Sequence, residues 1–524
     1  MELGVIKLCE NVLTLLSSPE ALLLFTCFIP IGIIVGALPG LTATMGVAVL
    51  TGMTYSISTG HTLVMLMSVY IGAVYGGSLS AILINIPGTG AAAATALDGY
   101  PLARKGEAGP TIGLAAISSA IGTIIGVTAL ASFTPLIAKL SLNFTSPEFF
   151  MLTIFGITIS GTISSPDIPL KGWMMGLMGM MVSFIGLDKI YGFARFTYDS
   201  PNLLGVSFIP SMIGLFGITQ IVSLLKEKQE IVIGAKVRKI IPKIGTIFKN
   251  WFLILRSGIV GVCVGAIPGA GEDIAAFISY DMAKRSHPKG PDFGTGVKEA
   301  VIAAETANNA CIGGSIIPLL TLGIPGSPPS AVLLGALLLH NINPGPMLSI
   351  EKPFFIFEIS ATILLGGIFL AIFALVLAKP MSKILKIPPA IFMPIVAVLC
   401  TIGSYALNLN SFDLLIMLIF GIFGYFLSEM GYPPAPFVLG IILGPLTDEN
   451  LRRTLVISDG SILPFFTRPI ALILLLAIVI NVLYQSRLFK KKIRMIKRKL
   501  WFRSECSDAN KGYSKAESKT DNND

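Results

Sequence analysis

The chain alternates long apolar runs with short polar or Gly/Pro-rich breaks. Runs over Ala21–Leu38, Thr62–Ile84, Thr111–Ile137, Phe355–Ala378, Leu414–Leu427 with its flanks and Pro469–Tyr484 are at or near the length needed to cross a bilayer as helices. Inside this apolar background one loop recurs. Gly36-Ala-Leu-Pro-Gly-Leu-Thr-Ala43 returns as Gly265-Ala-Ile-Pro-Gly-Ala-Gly-Glu272. A second pair follows each copy: Gly76-Gly77-Ser78 then Ile86-Pro-Gly-Thr-Gly90, and Gly313-Gly314-Ser315 then Ile324-Pro-Gly-Ser327. The order is kept, with one residue of slip between the Gly-Gly-Ser and Pro-Gly elements. The pattern predicts two related halves, each with two helix breaks, at Pro39 and Pro87 and at Pro268 and Pro325. A break at membrane depth strands backbone N–H and C=O groups unless protein, water or ligand satisfies them. Paired breaks at corresponding places point to a transporter binding site.

Composition agrees with this class. Hydrophobic residues make up 53% of the chain and charged residues 13%, with a mean hydropathy of +0.80. Average soluble proteins carry about 25% charged residues. The expected fold is an all-α polytopic membrane protein of two inverted-topology repeats, with re-entrant hairpins, broken helices and about eleven crossings. The net charge of +9 is local: Arg487–Asp524 holds twelve Lys/Arg against five Asp/Glu. A basic run after the last apolar span marks a cytoplasmic segment beside anionic lipid rather than a nucleic-acid surface. Ser504–Asp524 has the composition of a disordered tail. Met1–Glu20 has three Glu and one Lys, so no cleavable signal peptide is expected. The six cysteines form no CxxC and have no histidine at ligand spacing, so neither disulfide nor metal site is expected.

Charge also sets an expected topology. Lys226–Lys249 holds seven Lys/Arg, Lys284–Lys298 four and Lys379–Lys386 three. The positive-inside rule puts these loops, Arg104-Lys105 and the tail in the cytoplasm. Trp251–Ala283 then enters and leaves on one side, as a re-entrant hairpin or a packed pair of full spans. The N-terminus lies outside, followed by a hairpin over Ala21–Ser58 and a broken span from Thr62 to Leu102. Spans near 111–137, 147–165, 172–187 and 203–225 lead to the linker. The second half adds the broken span Ala300–Leu339 and spans near 355–378, 388–404, 412–428, 433–446 and 464–485. The expected units are 1–225, a linker over 226–250, 251–486 and a tail over 487–524. An odd number of crossings separates the copies, which inverts the second.

The candidate site follows from the breaks. Thr42 and Thr44, Asn85, Gly88, Thr89 and Gly90, Gly269 and Gly271, Asn308 and Asn309, and Gly326 and Ser327 are expected to converge on one polar cavity near the midplane. Free N–H groups at broken-helix N-termini suit a carboxylate, and unwound carbonyls suit Na⁺. Glu272 and Asp273 follow the second Pro-Gly tip, where acids either cap a helix start or handle an ion or proton. Glu305 shares a helix face with Asn308 and Asn309, lining the site or clamping neighbouring helices. His61, His287 and His340 fall near element ends, and Asp98 with Arg104-Lys105 reads as closing a cytoplasmic loop. No GxxxxGK[ST], GxSxG or HExxH is present, so neither ATP-driven transport nor a membrane hydrolase is indicated. The bottom-up reading is an ion-coupled carrier for a small anion. A channel is the competing class, with similar re-entrant loops but a filter usually assembled on one axis.

These strings resemble the large membrane subunit of the tripartite tricarboxylate transporter family. The resemblance runs from about residue 20 to 485. It rests on Gly36-Ala-Leu-Pro-Gly-Leu-Thr42, Tyr75-Gly-Gly-Ser78, Asn85-Ile-Pro-Gly-Thr89 and Ala94-Thr-Ala-Leu-Asp-Gly-Tyr-Pro101. In the second half it rests on Ile267-Pro-Gly-Ala-Gly271, Ala304-Glu-Thr-Ala-Asn-Asn309, Leu322-Gly-Ile-Pro-Gly-Ser327 and Leu443-Gly-Pro-Leu-Thr-Asp-Glu-Asn-Leu-Arg-Arg453. Family members usually carry glycine where Glu272 stands and a proline at Ala304, and the basic tail after Arg487 is atypical. The resemblance implies uptake of citrate-like carboxylates across the inner membrane, driven by Na⁺ or H⁺. It also implies a small membrane subunit and an extracytoplasmic substrate-binding protein as partners.

Overall fold

A computed structural model describes residues 2–38, 41–188, 190–203, 205–226, 237, 240–242, 244–288, 290–385 and 389–485. Its first half runs α1 (Glu2–Ser17), α2 (Pro19–Ala37), α3 (Ala43–Met53), α4 (Thr59–Ile84), α5 (Ala92–Leu102), α6 (Ala108–Ser141), α7 (Ser146–Ser164) and α8 (Pro169–Ser183). A small antiparallel hairpin, β1 (Gly186–Leu187) with β2 (Ala194–Arg195), precedes α9 (Phe208–Met212) and α10 (Thr219–Lys226). After the linker come α11 (Ile244–Lys249), α12 (Trp251–Gly265), α13 (Gly271–Ser286), α14 (Lys298–Leu322), α15 (Pro328–Leu339), α16 (Leu348–Glu351) and α17 (Phe355–Ile384). The chain ends in α18 (Pro389–Asn408), α19 (Ser411–Glu429), α20 (Pro434–Ile457), α21 (Pro464–Thr467) and α22 (Pro469–Gln485). Among the described residues, seven helical stretches are long and apolar enough to cross a membrane, and several shorter apolar helices accompany them.

Helix starts follow local chemistry. The Ser18 hydroxyl accepts the Ala21 N–H at 3.2 Å with Pro19 at the first helical position of α2, and Thr145 forms a capping box with Glu148 at α7. Two helices form the centre. Every residue from Thr62 to Ile84 of α4 and from Ala300 to Thr321 of α14 is buried. A helix apolar on all sides has no face to give to lipid and ends up enclosed by other helices.

Glycines set how these two are flanked. Gly32 and Gly36 of α2 lie on the Val69 and Ala73 carbonyls of α4, and a Cβ at either would collide with them. Gly261 and Gly265 of α12 lie in the same way on the Ala307 and Cys311 carbonyls of α14. In the return direction Gly76 meets the Ile33 carbonyl, and Gly314 meets that of Val262. The breaks repeat the match. α4 ends in a left-handed residue, Asn85 (φ 57°), and α14 in another, Gly323 (φ 72°). Gly88 then donates to the Gly77 carbonyl at 3.4 Å, and Gly326 to that of Ser315 at 3.3 Å. The recurrence in sequence therefore has a counterpart in packing, built on small residues that let backbones touch. The match is corrected by one residue: Gly76 corresponds to Gly314 and Gly77 to Ser315, so the contacts need no slip between the Gly-Gly-Ser and Pro-Gly elements.

Pro87, Pro268 and Pro325 all fall in non-helical breaks. α2 ends at Ala37 and α3 starts at Ala43, but Pro39 itself lies outside the described residues, as do most of the 226–250 linker and the 487–524 tail. The half-helices after the breaks cross over: α3 packs on α15, and α5 on α13 and α14. Three local features depart from the apolar pattern. α1 forms an extra helix before the first long apolar run. The expected span near 172–187 stops at Ser183, because Gly186 (φ 128°) turns the chain into the β-hairpin. α20 continues past 446 to Ile457, its extra turns held by the Asp448–Arg452 and Glu449–Arg453 pairs.

Candidate functional site

The breaks meet around a cavity of ≈ 420 Å³. Three half-helix N-termini face it. α3 contributes Thr42 and Thr44, with the Thr42 hydroxyl capping the Met45 N–H at 3.2 Å. Thr89, Gly90 and Ala91 come from the start of α5, and Gly269 through Ile274 from the tip leading into α13. The fourth N-terminus differs. Pro328 and Pro329 of α15 have no N–H to offer, and Ser327 and Ser330 cap one another reciprocally. Val74 of α4, Asn308 of α14, Ile163 and Ser164 of α7, Phe216 and Pro434-Ala435 complete the wall.

Nine of the sequence candidates therefore line one space: Thr42, Thr44, Thr89, Gly90, Gly269, Gly271, Glu272, Asp273 and Asn308. The remainder stand behind it. Asn85 caps α4. Gly88 and Gly326 are packed against the Gly36 and Gly265 carbonyls. The Gly326 carbonyl accepts the Gly271 N–H at 3.2 Å, tying the second hairpin tip to the second broken helix. Ser327 is buried, with its hydroxyl 2.8 Å from that of Tyr70. Asn309 and Glu305 are fully buried within the helix bundle and do not line the cavity.

Among the described residues no Lys, Arg or His lines the cavity, whereas two carboxylates do. They have different partners. Glu272 accepts the Tyr70 hydroxyl, which also lies 3.3 Å from Ser315 Oγ. Asp273 faces the start of α5, where a side chain at Gly90 would overlap its carboxylate. Asn308 Nδ2 donates to the Val74 carbonyl at 3.3 Å, which leaves its Oδ1 without a partner beside the cavity. Glu305 accepts Ser78 Oγ at 2.5 Å, Ser119 Oγ at 2.8 Å and Thr95 Oγ1.

Ser78 was marked by the recurring Gly-Gly-Ser string. Thr95 lies in the Ala94–Pro101 string without being singled out, and nothing marks Tyr70 or Ser119, because each is one polar group in an apolar helix and only the three-dimensional meeting of helices gives it a partner. Asp98 also differs from its sequence reading. Rather than pairing with Arg104 or Lys105, its fully buried carboxylate accepts the N–H groups of Gly294, Gly296 and Val297 and the Tyr280 hydroxyl. Lys105 instead donates to the Thr295 carbonyl at 2.7 Å, and Lys298 pairs with Glu107 at 2.5 Å. α5 and α13 thus meet at both ends, at Asp273 by the cavity and at Asp98 away from it. α3 and α15 have a weaker polar tie: His340 Nε2, just past α15, lies 3.3 Å from the Thr54 hydroxyl at the end of α3 and 3.3 Å from the Thr62 hydroxyl of α4.

The model of the tripartite tricarboxylate transporter TctA family matches residues 22–439, which includes every break and all of the cavity. The chain belongs to this family. An uncharacterized 52.8 kDa protein in the TAR-I ttuC' 3' region of Agrobacterium vitis is 37% identical over 462 residues, 86% of this chain and 90% of that protein. A protein in the TAR-II ttuC' 3' region of the same organism is 41% identical over 215 residues, 41% of this chain and 89% of its own length. No solved structure matches the chain. Membership makes this TctA-family chain a multi-pass membrane subunit of a tripartite transport system, and points to a transporter rather than an enzyme.

Proposed function

We propose that the chain is the large membrane subunit of an ion-coupled importer of citrate-like tricarboxylates or related carboxylates. Substrate is handed over by an extracytoplasmic binding protein, and a small membrane subunit completes the complex. In this reading the N-terminus is outside and the tail cytoplasmic in the inner membrane, with the two halves inverted relative to each other. The shared packing register of α2–α4 and α12–α14 supports the repeat.

One observation carries the functional reading: a cavity between the halves gathers three helix N-termini and carboxylates but, among the described residues, no basic side chain. Each N-terminus supplies about half an elementary charge, too little for a multivalent anion beside Glu272 and Asp273. The balance must come from a bound cation, which is why substrate entry is coupled to Na⁺ or H⁺. Backbone amides of Thr44 and Gly269, with the Thr42, Thr44 and Thr89 hydroxyls, hold the carboxylates. Glu272, Asp273 and Glu305 are the coupling candidates.

The test is uptake of labelled di- and tricarboxylates into proteoliposomes holding this chain, the small subunit and the binding protein. Saturable, gradient-driven uptake that needs the binding protein is expected. Full-rate uptake by this chain alone at micromolar substrate would sink the tripartite reading in favour of a self-sufficient carrier or channel.

A further inference from the structure

Glu305 stands apart from the cavity, and its surroundings have an excess of oxygen. Its carboxylate is held by three hydroxyls from three helices of the first half: Ser78 of α4, Thr95 of α5 and Ser119 of α6. No ion pair to it exists among the described residues. Hydroxyl donors solvate a carboxylate but carry no charge, so an ionised Glu305 in an apolar bundle is uncompensated and costly.

Two further oxygens here lack any partner. Asn309 lies one turn after Glu305 on α14, its Nδ2 on the Glu305 backbone carbonyl at 3.2 Å and its Oδ1 unpaired. Tyr75 lies one turn before Ser78 on the same face of α4, with its hydroxyl unpaired among the described residues. Both side chains are fully buried. Residues three and four apart share a helix face, so Tyr75 with Ser78 and Glu305 with Asn309 bracket one point between α4 and α14.

We propose that this point is a site for a dehydrated monovalent cation of the sodium class, bound by Glu305, Asn309 Oδ1, the Tyr75 hydroxyl and the lone pairs of the hydroxyl cradle. A proton would neutralise the acid yet leave Asn309 Oδ1, a pure acceptor, unsatisfied. A hard cation satisfies carboxylate, amide and hydroxyl oxygens together. The site rests on the transport reading above and gives the coupling ion a place one residue from the substrate. Asn308, next to Asn309, lines the cavity, and Thr95 sits on the half-helix whose first turn does the same. A cation that draws α4, α5 and α14 together therefore shapes the substrate cavity from behind.

The experiment uses the purified full-length chain in detergent with ²²Na⁺ alone, at constant ionic strength made up with choline. Saturable binding is expected, with a rise in melting temperature when Na⁺ replaces choline. Glu305→Gln and Asn309→Ala should each weaken binding at least tenfold. If Glu305→Gln does not fold, Tyr75→Phe keeps the cradle while removing one oxygen, and should weaken Na⁺ several-fold at an unchanged melting temperature in choline. Undiminished ²²Na⁺ binding in the folded variants, or no Na⁺-specific effect on the unmodified chain, overturns the proposal. Carboxylate uptake with the partner proteins is scored separately. Failed uptake with intact Na⁺ binding at Glu305 refutes the substrate reading and leaves the cation site standing.

Discussion

Asp98 offers the most direct test of how the two halves are joined. Its carboxylate takes the Gly296 N–H at 2.8 Å, the Val297 N–H at 2.7 Å, the Gly294 N–H at 3.0 and 2.9 Å to its two oxygens, and the Tyr280 hydroxyl at 2.8 Å. Asp98→Ala leaves four donors without their acceptor. Gly294 is exposed and Gly296 partly so, and water replaces the carboxylate there. Val297 and Tyr280 are buried and stay stranded. At roughly 1–3 kcal/mol per stranded donor, the loss is about 2–6 kcal/mol. Asp98→Asn keeps one acceptor oxygen but turns an NH₂ toward the remaining donors, so it should fall between Ala and the native residue. Tyr280→Phe removes one donor and leaves the carboxylate satisfied by backbone, at about 1 kcal/mol. The assay is thermal unfolding of the solubilised protein, with limited proteolysis of the 290–298 loop as a local readout. The expected order of stability is native, Tyr280→Phe, Asp98→Asn, Asp98→Ala, with faster cleavage of the loop down the series. An Asp98→Ala protein that melts within a degree of the native one, with its loop still protected, would refute the reasoning.

Further predictions follow from the same contacts. Gly88→Ala and Gly326→Ala drive a Cβ into a backbone carbonyl that cannot turn away, so each should cost about 1–3 kcal/mol and lower the yield of folded protein. Gly60→Ala, with open space around it, should be silent in the same assay. Asn308→Ala should impair carboxylate uptake without loss of protein from the membrane, and normal uptake would move the site elsewhere. Burial holds the His340 imidazole below the ordinary histidine pKa, so the folded state favours its neutral form. Its contribution to stability is therefore whole above about pH 6.5 and is lost as pH falls through the lowered value. The melting temperature of the native protein should fall more steeply than that of His340→Gln on acidification from about pH 7.5 to 5; parallel curves would assign that dependence to other groups.

What could be read from the sequence was whatever recurs or breaks a rule along the chain. Pro-Gly strings in apolar runs announce helix breaks because proline removes a donor and glycine permits left-handed backbone. Gly269 (φ 72°) and Gly271 (φ 70°) use that freedom at the second tip. Glu272, Asp273 and Glu305 were conspicuous because acids at membrane depth are rare. What stayed hidden were partners supplied by other helices. Tyr70 reads as one aromatic in an apolar run, yet it links the second hairpin's carboxylate to Ser327 of the second broken helix. Asp98 sits near a basic pair in sequence, but backbone amides some two hundred residues later outcompete it because they converge on both oxygens at once. Such pairings depend on which half-helix crosses to which half, and no local pattern encodes that.

That crossing has a consequence for motion. α5 belongs to the first half and α13 to the second, yet they are packed together at the cavity by Asp273 and tied at the far end by Asp98 and Tyr280. Two elements fixed at both ends can only move as one body. α3 and α15 form the matching exchanged pair, but their tie at His340 is one 3.3 Å contact to the Thr54 hydroxyl, with no charge-assisted bond. Charge-assisted hydrogen bonds are roughly twice as strong as neutral ones, and the Asp98 carboxylate takes one from Tyr280 of α13 and three from the loop that leads into α14. The cavity therefore lies between a strongly latched pair and a weakly latched pair. If access alternates across it, weakening Asp98 should shift the balance toward opening beside α5 and α13. Cysteines placed along α5 and α3 would report this by their relative rates of alkylation in native and Asp98→Asn protein. Equal rates in both proteins would remove the latch from the mechanism and leave Asp98 as a fold-stabilising residue alone.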